Sequence, residues 1–203
     1  HSFINTESTD ELQYADIAFR IRPVAAGPWQ AALEPAPGAE PIEVELEPGS
    51  GDAAYLLQAD YPHHGQKVYR RELKVRRNDG VFADLGAPAD VAGNWASVQT
   101  SQGGVFVVLP DLAQWFPKEL EVNRDGLTAH IWSSRGGRLL DYRPATLVDH
   151  WGLDWIEAAY PGGAAAMRKV EANAQGTART HDFWVGFFPP RAEARPMARL
   201  CAT

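Results

Sequence analysis

The residues best equipped for chemistry are imidazoles and guanidinium groups lying beside indoles. In LTAHIWSSRGG (Leu127 to Gly137), strand alternation would put Thr128, His130 and Trp132 on one face and Leu127, Ala129 and Ile131 on the other. Arg135 follows at once, DYRP adds Arg143, and ARTHDFW adds Arg179, His181 and Trp184. Tryptophan stacks on the apolar faces of sugar rings, and arginine holds a carboxylate through two parallel N–H bonds. Such groups suit a glycan that carries uronic acids. Cleavage of that glycan by β-elimination requires the uronate carboxylate to be neutralised, so that the ring proton beside it becomes acidic and a Tyr, His or Lys can remove it. His130, His181 and Tyr142 are chemically eligible bases. The candidate substrate-binding set is therefore His130, Trp132, Arg135, Arg143, Arg179 and His181, with no catalytic residue assigned. A plainer reading stays open beside it: tryptophans fill sandwich cores, and histidines are also found there as satisfied core residues.

Other chemistries find less support. His63 and His64 are adjacent, so in a strand they point to opposite faces and cannot share one ion. The remaining histidines fit no zinc spacing. A terminal His1 raises copper held by an α-amino group and imidazole, with His130 or His181 as a further ligand, but nothing else in the sequence supports it. There is no G-x-S-x-G elbow, no phosphate-cradling glycine loop and no dinucleotide fingerprint. The single cysteine, Cys201, lies almost at the end. No metal and no cofactor is expected.

The 203 residues carry a formal net charge of −7 with a sequence pI of about 5.3, which argues against nucleic acid or an anionic membrane as the main partner. The composition, 45% hydrophobic and 22% charged, is that of a globular chain able to bury a sizeable core. The longest apolar run, VFVVL, is too short to span a bilayer. HSFINTESTDE lacks the basic start and apolar middle of a signal peptide, and a start without Met reads as a processed chain or a piece of a longer one.

Period-two alternation dominates the elements that must carry these groups. It predicts strands at Tyr14 to Arg22, Ile42 to Glu47, Gln66 to Val75, Trp95 to Thr100, Gly104 to Leu109, both sides of NRDG, and Ala178 to Phe188. The last is apolar enough for the middle of a sheet. Ala53 to Ala59 suits a strand or a helical turn, and Pro28 to Pro41 reads as a loop or hairpin connection. In RRELKVRR, Leu73 and Val75 oppose Glu72, Lys74 and Arg76, a pattern that predicts a solvated strand face, with an anion contact as the lesser reading. Helix formers gather only at Gly163 to Gln175. The expected architecture is all-β: one antiparallel β-sandwich over residues 1–190 with a short late helix, and a linker or tail over 191–203 leading towards a further domain.

The order of motifs resembles the exo-rhamnogalacturonan lyase family. Phe116-Pro117-Lys118, Leu127, His130-Ile131-Trp132 and Gly176 to Asp182 match its pattern, and the likeness runs from about Phe3 to Phe188. The family's usual Pro after the Trp is Ser133 here, and its Glu after Thr-His is Asp182. The resemblance implies the central, supersandwich-like domain of a three-domain protein, flanked by an N-terminal β barrel and a C-terminal helical toroid. It further implies action on acidic polysaccharides or oligosaccharides such as rhamnogalacturonan, an extracellular or periplasmic setting, and an isolated chain inactive without its neighbours. A stand-alone carbohydrate-binding module and a purely structural, domain-docking sandwich are the competing expectations.

Overall fold

The computed structural model describes residues 2–4, 13–24, 27–47, 49–60, 69–86, 88–141, 143, 161–167, 178–190, 192 and 194–201. His1, His63, His64 and Tyr142 lie outside them. Packing divides the chain into two units: residues 1–15 with 139–181, and residues 16–138 with 182–203.

The larger unit is the sandwich. Its first sheet orders six strands as β2 (Ile17–Ile21), β11 (Gly126–Trp132), β10 (Lys118–Asn123), β5 (Ala53–Asp60), β6 (Arg70–Arg76) and β7 (Ala83–Asp84). The second orders five as β13 (Trp184–Phe188), β9 (Gly103–Val108), β8 (Trp95–Thr100), β3 (Trp29–Leu33) and β4 (Ile42–Leu46). Every pairing is antiparallel, so the all-β sandwich expectation holds.

Alternation explains the layers. Val44 and Leu46 are buried while Glu43 and Glu45 stay outside, and Ala31 and Leu33 lie in register with Val44 and Ile42. From the other sheet, Leu56, Leu120, Val122, Leu127 and Ala129 share one face and are fully or almost fully buried. Strand β5 is buried on both faces because each face is covered. Its inward Gln58 is satisfied by accepting from the Ala92 N–H (2.8 Å) and donating to the carbonyls of Asp60 and Asp90.

Three sequence expectations change. Trp29–Leu33, within the stretch read as a connection, is a strand between β8 and β4. Ala178 to Phe188 is not one central strand: it splits into β12 (Ala178–Thr180) and β13, and β13 is an edge. Within 191–203, a helix, Ala194–Cys201, buries Ala194 and Ala198 against Trp95, Phe106, Val108 and Phe188 on the outer face of the second sheet. Pro196 falls in the first turn, where a missing N–H costs nothing.

The smaller unit pairs β1 (Ser2–Ile4) with β12, joins Tyr14 to Leu140 by a bridge, and contains a short helix, Gly163–Met167, within the expected helical region.

The turn joining β4 to β5 hangs on Asp52, whose side chain is 6% exposed. Its carboxylate accepts from the N–H of Glu47 (3.2 Å), the N–H of Asn78 (2.9 Å) and the Arg77 guanidinium (2.8 Å). Burial pushes its pKa up, but these bonds outweigh burial and hold it at about 2. The folded value lies below the ordinary 3.8, so the stabilisation is complete above the ordinary value and fades as pH falls from there towards 2. Asp52→Asn is expected to cost about 1.5–3 kcal/mol at neutral pH, since hydrogen bonds to a charged group are lost. It should also flatten the stability loss over that acid window, measured by thermal melts across pH. An acid limb identical to the parent's would contradict this.

Candidate functional site

The NRDG turn closes the β10–β11 hairpin, with Gly126 at φ 123°, and thereby sets its register: Glu119 opposes His130 and Glu121 opposes Thr128. Residues two apart on a strand share a face. Glu119 and Glu121 therefore stand side by side on the outer face of the first sheet, with His130 beside them on the next strand. On β5, Tyr55 is the register partner of Glu121.

Three further groups complete the cluster. Asp16, just before β2, binds His130 Nδ1 through both carboxylate oxygens, at 2.8 and 3.0 Å, and also accepts the Ser134 N–H at 3.0 Å. Ser133 is fully buried and caps the 3-10 turn Ser134–Gly136, accepting from the Arg135 N–H (3.2 Å) while its hydroxyl donates to Glu119. That turn folds Arg135 back over the strand it has just left. Its guanidinium bonds Glu119, bonds Glu121 at 2.9 Å, and lies 4.5 Å from the centre of the Tyr55 ring.

The electrostatics follow from burial. Glu119 is fully buried, and burial holds its carboxyl above the usual range despite His130 and Arg135. Burial also raises Glu121, but the facing His130 imidazole and the bond from Arg135 dominate and bring it to about 2. His130 loses proton affinity by burial and regains more from Glu121, Glu119 and Asp16, so its pKa is raised. Burial and the bond it donates to Glu72 (2.7 Å) push Tyr55 well above the ordinary phenol value. Glu72 also takes Lys74 at 3.2 Å, so the β6 face expected to be solvated is half-buried and internally paired.

His130, Trp132 and Arg135 thus lie close together, but each is occupied. His130 is 8% exposed. Trp132 is half-buried and donates its indole N–H to the Arg138 carbonyl at 3.0 Å. The remaining three expected residues belong to the smaller unit. Arg143 grips Asp141 through Nε (3.0 Å) and Nη2 (2.6 Å), His181 is buried, and Arg179 sits on β12 opposite Phe3, its side chain outside the described residues. Sequence reasoning overlooked Asp16, Tyr55, Glu119, Glu121 and Ser133. One signal was available: Glu-x-Glu on one arm of a hairpin whose turn places it against His130 on the other.

A second feature lies on the outer side of the other sheet. Trp184, 55% exposed on edge strand β13, borders a cleft of ≈ 750 Å³ with Asn94, Asp111, Gln114, Asp182 and Cys201. An indole beside amides and carboxylates suits a sugar ring, which needs an apolar wall and partners for its hydroxyls.

No protein-family model matches this chain, and no curated protein matches it.

Proposed function

We propose that this chain is the β-sandwich domain of a polysaccharide-lyase-like protein acting on acidic glycans such as rhamnogalacturonan, and that it contributes a sugar-contacting wall rather than a complete active site. The motif order shared with the exo-rhamnogalacturonan lyases supports the substrate class. The observation that carries the division of labour is the internal pairing of His130, Arg135 and Arg143 with Asp16, Glu119, Glu121 and Asp141. A uronate carboxylate arriving there would compete with the chain's own acids. Neutralising it for β-elimination therefore falls to groups supplied by neighbouring domains.

Sugar contact falls instead to the Trp184 cleft. Asp111 and Asp182 repel a uronate, so the ring stacked on the indole is a neutral one, with acidic rings to either side. In a polymer that alternates neutral and acidic sugars, both demands are met. A stand-alone binding module is the second reading, favoured by the same exposed indole.

The test uses this chain and a longer protein that includes its flanking sequence, each incubated with rhamnogalacturonan and with polygalacturonate. The short chain is expected to retain rhamnogalacturonan in affinity electrophoresis, to lose that retention in Trp184→Ala, and to generate no unsaturated ends by absorbance. The longer protein is expected to generate them. Product from the short chain would refute the division of labour. Silence from the long one across several polymers would remove the lyase reading and leave the binding module.

A further inference from the structure

Asp16 holds His130 at Nδ1, so in the neutral ring the proton sits on Nδ1 and the lone pair on Nε2. Nε2 is buried and has no hydrogen-bond partner among the described residues. It faces Glu121 Oε2 at 3.6 Å, too long for a hydrogen bond. With the ring neutral, Nε2 and Oε2 are two acceptors confronting each other in a buried place, and either a proton or a metal ion has to lie between them. Donor atoms of Glu119, Glu121 and His130 all lie within 4.8 Å of one another. On a tetrahedral zinc ion with bonds of about 2.0–2.1 Å, neighbouring donors stand about 3.4 Å apart. The gap between Nε2 and Oε2 is already close to that spacing.

We propose that Glu119, Glu121 and His130 form a binding site for one divalent transition-metal ion of the zinc type. Imidazole together with two carboxylates selects such an ion over magnesium or calcium, which prefer oxygen alone. Asp16 acts as a positioning residue: a carboxylate on the far ring nitrogen is the usual way a ligating histidine is oriented and made more basic. Arg135 need not leave, because it uses Oε1 of each glutamate and a carboxylate oxygen has two lone pairs. With the ring neutral, Arg135 is the cation facing the carboxyl groups of Glu119 and Glu121, and a dication would add the positive charge that two ligating carboxylates need. It also ties β10 to β11 at the root of the 3-10 turn. The site stands on this cluster alone and does not depend on the sugar-binding reading.

The chain is stripped with a chelator, equilibrated with zinc, dialysed, and assayed for bound metal by elemental analysis, alongside His130→Gln, Glu121→Gln and Asp16→Asn. Background from His1, His63 and His64 is the same in all four proteins and cancels. The parent is expected to hold one zinc more per chain than His130→Gln or Glu121→Gln, and Asp16→Asn to bind about 10–100-fold more weakly. Circular dichroism establishes that each variant is folded. If one is not, the parent answers alone through two-bond ¹H–¹⁵N correlation of the His130 ring. The metal-free ring should be the Nδ1–H tautomer, with Nε2 shifting when zinc is added. Equal zinc in parent and folded His130→Gln overturns the site. So does a ring doubly protonated at neutral pH and unmoved by zinc, since a proton would then fill the gap.

Discussion

Arg135→Ala is expected to destabilise the sandwich by about 3 kcal/mol, near the lower end of what removing one partner of a buried ion pair costs. The reason is what it leaves behind. Glu119 is fully buried and Glu121 nearly so, and both depend on this guanidinium. The value sits at the lower end because the Arg135 side chain is 32% exposed, so water can partly fill the space vacated. Stacking on Tyr55 is lost as well. For a domain of this size the melting temperature should fall by roughly 6–12 °C. The same substitution made on a Glu119→Gln background should cost distinctly less, because an amide strands no charge. Additive losses in that double-mutant cycle, or a single-variant loss below about 1 kcal/mol, would show that Arg135 is a surface cation of little consequence.

Trp95→Ala should cost more, about 3–5 kcal/mol, the range for deleting a large buried aromatic. Trp95 is 1% exposed and joins β8 to the Ala194–Cys201 helix through Ala194, Ala198, Phe106 and Phe188. Its indole N–H is buried without a partner among the described residues, so Trp95→Phe removes an unsatisfied donor along with some volume and is expected to be much milder. Urea unfolding of both variants measures the difference, and proteolysis near residue 191 reports whether the helix still docks. A mild Trp95→Ala, with the helix still protected, would mean that the outer layer is not part of the core.

Much of the sandwich was legible because alternation is a local property. Glu43-Val44-Glu45-Leu46 declares a half-buried strand without reference to anything else, and NRDG between two such runs declares a hairpin. Trp29–Leu33 was not legible: two of its five residues are alanine, and Pro28 precedes it. Its strand state comes from pairing with β8 and β4. The Ala194–Cys201 helix escaped notice for a related reason. Ala194, Met197, Ala198 and Cys201 keep the spacing of one helix face, but the face is only two turns long and is interrupted in sequence by Pro196 and two arginines, so the segment reads as a tail.

The candidate site divides in the same way. Sequence alone determined that His130 and Trp132 share a strand with an arginine close behind, because spacing within one hairpin is short-range information. The turn also carried, although the pattern of Glu-x-Glu was passed over, that Glu119 faces the histidine with Glu121 two residues further along the same face. Only the tertiary structure decided that Asp16, 114 positions earlier, claims the imidazole, and that Arg135 turns inward onto carboxylates rather than outward. The physical reason is burial. Once the outer face of the sheet is covered, each charge on it must find an opposite charge within the chain, and which one it finds depends on strands brought together from distant parts of the sequence.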